Sequence, residues 1–139
     1  MSTFRGANPA KPAFGKPGVV VPKPINWDAM SPVFCLALMK EGNGYSVDCC
    51  DLPHRAALAV RLSKLSQMTW LQIKSAPRHG LGCETIARNA IKSPLPQQVT
   101  DDVVLIALRY NGKSPMVGYR DERTFHILFI DHNMTLYKH

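Results

Sequence analysis

The 139-residue sequence contains no charge-free apolar stretch of about 18 residues, which excludes a transmembrane helix. Apolar runs such as residues 103–108 and 127–130 are short. The opening MSTFRGANPAKPAFGKPG lacks an apolar core, so a secretory leader is not expected and a cytoplasmic location is. Charged residues make up only 19% and apolar residues 45%, which suits a globular chain rather than a disordered one. Acids are missing altogether from residues 1–24, which carry Arg5, Lys11, Lys16 and Lys23. The formal charge of +7 therefore divides into +4 on this stretch and +3 on the other 115 residues. An anionic partner fits such a balance, although the remainder is only mildly basic.

Two common site motifs are also missing. The glycine-containing loop at 78–84 lacks the Gly-Lys-Ser/Thr ending, so it is not a phosphate loop of that type. Cys49, Cys50 and His54 lie close together, as do His79 and Cys83, but neither group has a second Cys-x2-Cys or His-x3-His partner to complete a tetrahedral site. No metal or other cofactor is expected. The four cysteines, at 35, 49, 50 and 83, show no disulfide framework, and reduced thiols are the simplest assumption.

What is present has a readable order. Five of the eleven prolines fall at positions 9, 12, 17, 22 and 24, so residues 1–24 read as an extended, flexible arm. Residues 25–139 read as one domain. Residues 33–39 and the alternating 45–50 flank Glu41-Gly-Asn-Gly44, a hairpin signal. Asp51 caps a helix that tolerates Pro53 in its first turn, with Leu58, Leu62, Leu65 and Met68 at helical spacing. Thr69 caps a second, short helix over 70–75, and residues 84–91 read as a further helical turn or two. The last third reads as three antiparallel strands over 103–110, 115–121 and 124–131. The expected fold is α+β: an antiparallel sheet, made of an N-terminal hairpin plus three C-terminal strands, with two or three helices packed on one face.

Two regions concentrate chemistry. The loop Arg78-His79-Gly80-Leu81-Gly82-Cys83-Glu84 offers a cation, a proton carrier and a base beside glycines that admit close approach of a ligand. The last strands and the segment after them carry Arg109, Arg120, Arg123, His126, Tyr137, Lys138 and His139. Histidine has the right acidity for proton transfer near neutrality. A two-residue loop Glu122-Arg123 places Tyr119 opposite His126, whereas a three-residue loop places Arg120 there. Metal-independent RNA cleavage needs a base for the 2′-hydroxyl, a cation for the phosphorane and an acid for the leaving oxygen. Arg78, His79, Glu84, Arg120, His126, Tyr137 and His139 are the candidate catalytic residues, and Arg109, Arg123 and Lys138 the candidate nucleic-acid contacts.

The segments LSKLSQMTW at 62–70 and FHILFIDHNMTLY at 125–137 resemble small toxin-type proteins of bacteria and mobile elements. The strand order and basic C-terminal region are similar to the RelE-like branch of the barnase/EndoU/colicin/RelE ribonucleases. That resemblance implies a toxin acting on RNA, ribosome-associated mRNA among the candidates. It also implies a cognate antitoxin, no membrane, and a site near the last strands. Two alternatives stand beside it. One is a non-catalytic nucleic-acid- or protein-binding module of phage or defence-system origin. The other is a cysteine hydrolase using Cys49 or Cys50, since Asp48-Cys49-Cys50 before a helix weakly resembles the NlpC/P60 peptidases.

Overall fold

The computed structural model describes residues 21–77 and 80–139. Most of the proline-rich arm, with Arg78 and His79, lies outside the described residues. The fold is α+β, with strands β1 (Val33–Cys35), β2 (Glu84–Ile86), β3 (Leu105–Asn111), β4 (Ser114–Asp121) and β5 (Thr124–Ile130), and helices α1 (Leu52–Leu65) and α2 (Trp70–Ser75). The five strands form one sheet in the order β1-β5-β4-β3-β2. Among the described residues, no helix is long and apolar enough to cross a membrane.

Both helices begin as their capping residues dictate. The Asp51 carboxylate accepts the His54 amide at 3.0 Å, with proline in the first turn of α1. Thr69 and Gln72 satisfy each other's backbone amides in a capping box at the start of α2. Leu58 and Leu65 of α1 and Trp70 and Ile73 of α2 are buried against Leu108, Met116, Phe125 and Ile127 of the sheet. The opposite sheet face, with Leu105, Val117, Leu128 and Phe129, is covered by Val99, Leu136 and Tyr137 from irregular segments. Both helices thus pack on one face, as expected.

The three C-terminal strands are antiparallel neighbours. The two-residue loop wins: Asp121 pairs with Thr124, and Tyr119 stands opposite His126. Glu122 adopts the left-handed conformation this tight turn requires, with φ of 58°.

Two expectations are corrected. The N-terminal hairpin does not form. Residues 33–35 become an edge strand that pairs in parallel with β5, while 47–49 form a 3₁₀ turn. The Asn43-Gly44 signal does make a turn, in which Asn43 accepts the Tyr45 amide at 3.2 Å. Ser46 then bonds the Gly42 amide at 3.1 Å and also the Asp48 carboxylate, so side chains take partners that a strand ladder would need. The second correction is at residues 84–91, which are not helical at their start. Thr85 and Ile86 add a strand to the outer edge of β3, and only 88–90 form a 3₁₀ turn.

Candidate functional site

Beyond β5 the chain turns on a single buried carboxylate. Asp131 has no exposed surface and accepts the amides of Thr135 at 2.8 Å and Leu136 at 3.1 Å. Those bonds fold residues 134–139 back over the sheet, where the Leu136 carbonyl accepts the Lys92 amide at 2.8 Å. Asp131 also accepts from His139 Nε2 at 3.1 Å, which orients the imidazole and leaves Nδ1 for other work. The Tyr137 ring packs against His139, with centroids 4.2 Å apart.

The returned segment faces the open β2–β3 edge across a cleft of about 670 Å³. Three cations, Arg109, Lys113 and Lys138, line it with Glu84, Tyr137 and His139. Its apolar lining comes from Ile86, Ala87, Ala90, Ala107 and Met134. Three cations against one carboxylate make this a place for an anion. Burial pushes the Tyr137 phenol up to about 12, helped by the charges of Glu84 and Asp131 and opposed by that of Arg109. The hydroxyl therefore stays protonated at neutral pH and can donate to anionic oxygen.

That shift has a consequence for stability. An unfolded tyrosine ionises near 10, so between pH 10 and about 12 the unfolded chain holds fewer protons than the folded one. The contribution is present in full below pH 10 and is lost as pH rises through the folded value. It amounts to about 2–3 kcal/mol at 1.4 kcal/mol per unit. Urea denaturation at pH 8 and pH 11 should show about half of this fall, about 1.4 kcal/mol, in the native protein, and Tyr137→Phe should show a smaller one.

The glycine-rich loop reaches the same cleft. The Leu81 carbonyl accepts the Arg109 amide at 2.8 Å, which holds the loop on β3. Gly82, at φ of 63°, lies so close to Arg109 that a β-carbon there would stand 2.8 Å from its Cδ. Gly82→Ala should displace the guanidinium and weaken binding of an anion in the cleft about tenfold, the worth of one charge-assisted contact. Calorimetric titration with inorganic phosphate measures this.

Of the ten candidate residues, Glu84, Arg109, Tyr137, Lys138 and His139 meet in the cleft. Arg78 and His79 lie outside the described residues. The remaining three stand elsewhere. Arg120 shares a sheet face with its partner Phe125 on the helix side, where its guanidinium lies 4.5 Å from the Trp70 ring centre and 2.7 Å from Asp28. Arg123 donates to the Ser31 carbonyl at 2.9 Å. His126 stacks on Tyr119 at 4.6 Å, beside Cys35 of β1, and its Nδ1 is buried with no hydrogen-bond partner. Ile86, Leu105, Tyr119 and His126 form one row across the sheet, so His126 is three strand spacings, about 14 Å, from the cleft wall at Ile86. His126→Ala should therefore leave anion binding in the cleft unchanged, and the same phosphate titration checks it.

The sequence did not reveal Lys113 as a site residue, nor the orienting role of Asp131. A signal existed for Asp131, because a carboxylate directly after four apolar strand residues must be met by donors if it is buried. Lys113 follows the Asn111-Gly112 turn, and nothing local shows that this turn opens toward the chain's last residues.

The cysteines divide. The Ser46 hydroxyl, with the Ser46 and Gly44 amides, holds the Cys49 thiol below its usual range, whereas burial pushes Cys50 and Cys83 up. A hydrolytic thiol needs a base within hydrogen-bond reach. His54 instead bonds the Tyr110 hydroxyl at 2.6 Å, and among the described residues no histidine bonds a cysteine sulfur. Nor, among the described residues, does any group of three or more His, Cys, Asp or Glu side chains form a metal-ligand cluster. A scan against protein-family models, a search of curated proteins and a search of solved structures each found no match to this chain.

Proposed function

We propose that the protein is a metal-independent endoribonuclease whose chemistry takes place in the cleft between the β2–β3 edge and residues 134–139. The observation that carries this reading is the convergence of Glu84, Arg109, Tyr137, Lys138 and His139, drawn from separate parts of the chain, on one cationic hollow. These groups match the needs of in-line cleavage. The Glu84 carboxylate takes the proton of the 2′-hydroxyl, whose oxygen attacks phosphorus. Arg109 and Lys113 hold the phosphorane charge, and the neutral Tyr137 hydroxyl donates to it. His139 gives a proton to the departing 5′-oxygen as the phosphorus–oxygen bond breaks, leaving a 2′,3′-cyclic phosphate. Asp131 keeps the imidazole oriented.

The RelE-like resemblance agrees in placing activity near the chain's last residues, and it adds a cognate antitoxin. Such a partner would present carboxylates to Arg109, Lys113 and Lys138. The test is digestion of single-stranded RNA with EDTA present. Native protein should yield fragments ending in cyclic phosphate, and Arg109→Ala should slow their appearance at least tenfold, about 1.4 kcal/mol of transition-state stabilisation. RNA left intact by the native protein would overturn the reading.

A further inference from the structure

The cleft is lined by two chemically different sets of side chains, and a phosphate would answer only one of them. The cations Arg109, Lys113 and Lys138 answer an anion. Apolar side chains line the rest of the cleft: Ile86 and Ala107 are buried, Ala107 directly opposite Glu84, and Ala87 and Ala90 are exposed on the turn after β2. Three alanines at these positions leave space where larger side chains would close it. The total of about 670 Å³ lies within the roughly 300–1,000 Å³ of small-molecule sites. A phosphodiester group alone leaves most of that volume, and nearly all of the apolar lining, without a contact.

From this division we infer that the apolar lining is a nucleobase site, which receives one unstacked base of a single-stranded RNA beside the cations that hold its phosphate. The inference rests on the ribonuclease reading and names the substrate's form. A base within a duplex is stacked on both faces and paired along its edge, so it cannot enter a side cleft without leaving the helix. A single-stranded base enters freely. The apolar lining then contributes through the area it removes from water, and the cations fix the phosphate end. The small residues act as determinants of specificity, because they set how large a base the site admits.

The probes are uridine 3′-phosphate, adenosine 3′-phosphate and inorganic phosphate, titrated calorimetrically into the full-length protein. At least one nucleotide should bind about tenfold or more tightly than phosphate, from apolar burial of the base. Ala90→Trp fills the site from an exposed position, where folding is not at stake, and should abolish that advantage while leaving phosphate affinity unchanged. RNA cleavage should require a single strand, and the same sequence annealed to its complement should resist. Equal affinity for nucleotide and phosphate, or an advantage that survives Ala90→Trp, would overturn the base site. The two proposals fail separately. Nucleotide binding without RNA cleavage removes the nuclease and keeps the base site, whereas cleavage of single and double strands alike removes the base site and keeps the nuclease.

Discussion

His139→Ala is expected to slow RNA cleavage by about 100-fold or more, the usual contribution of a positioned general acid. The native structure should survive the change, because His139 contacts the Asp131 carboxylate and the Tyr137 ring, and both have other partners in the fold. Asp131 would still accept the Thr135 and Leu136 amides after the imidazole is gone. Asp131→Asn provides the companion measurement. An asparagine turns one of its two acceptor atoms into a donor, facing groups that already donate, so it should cost about 1–3 kcal/mol of stability as well as activity. If Asp131 acts on the reaction through His139, the two substitutions together should slow cleavage little more than His139→Ala alone. Additive losses would show that Asp131 merely supports the fold. Undiminished cleavage by His139→Ala would remove the imidazole from the mechanism.

Local rules were enough wherever a single side chain decides the matter. Asp51 and Thr69 begin helices because an oxygen at that point satisfies an amide that no helical carbonyl can reach. The Tyr119–His126 pairing follows from a turn only two residues long. Pairing between distant segments was not legible in the same way. The apolar run at 33–39 reads as half of a hairpin, yet three of its residues pair with β5, 91 positions later. Nothing in those residues distinguishes a near partner from a far one. The site shows the same division. His126 and Arg120 attract notice by residue type, but one stacks on Tyr119 and the other neutralises Asp28, on opposite faces of the sheet. The residues that do converge depend on a buried carboxylate folding the final segment back on the sheet. That is a three-dimensional event, which the order of residues records only as an aspartate after an apolar strand.

The largest expected loss of stability comes from Gly118→Ala. Gly118 lies in β4, between β3 and β5, where the pairing with β5 shifts by one residue between Val117 and Gly118. The shift brings the two backbones together. A β-carbon at position 118 would fall on the His126 carbonyl oxygen and stand 3.1 Å from the Ile127 Cα. Neither obstacle is the movable end of a side chain. β5 cannot retreat either, because Phe125 and Ile127 are fully buried and Phe125 packs edge-to-face on Trp70. Separating the strands would break ladder hydrogen bonds and open both cores. The cost should exceed about 4 kcal/mol, a large share of the 5–15 kcal/mol that holds a domain of this size together. Gly112→Ala is the control. Gly112 has φ of 57°, but no atom lies within 4 Å of an added β-carbon. Only the left-handed backbone is penalised there, by about 1–2 kcal/mol. Urea denaturation of the two variants should therefore separate crowding from conformational strain. Equal midpoints would mean that β4 and β5 do not approach so closely at Gly118, and the register that sets Tyr119 opposite His126 would fall with that contact.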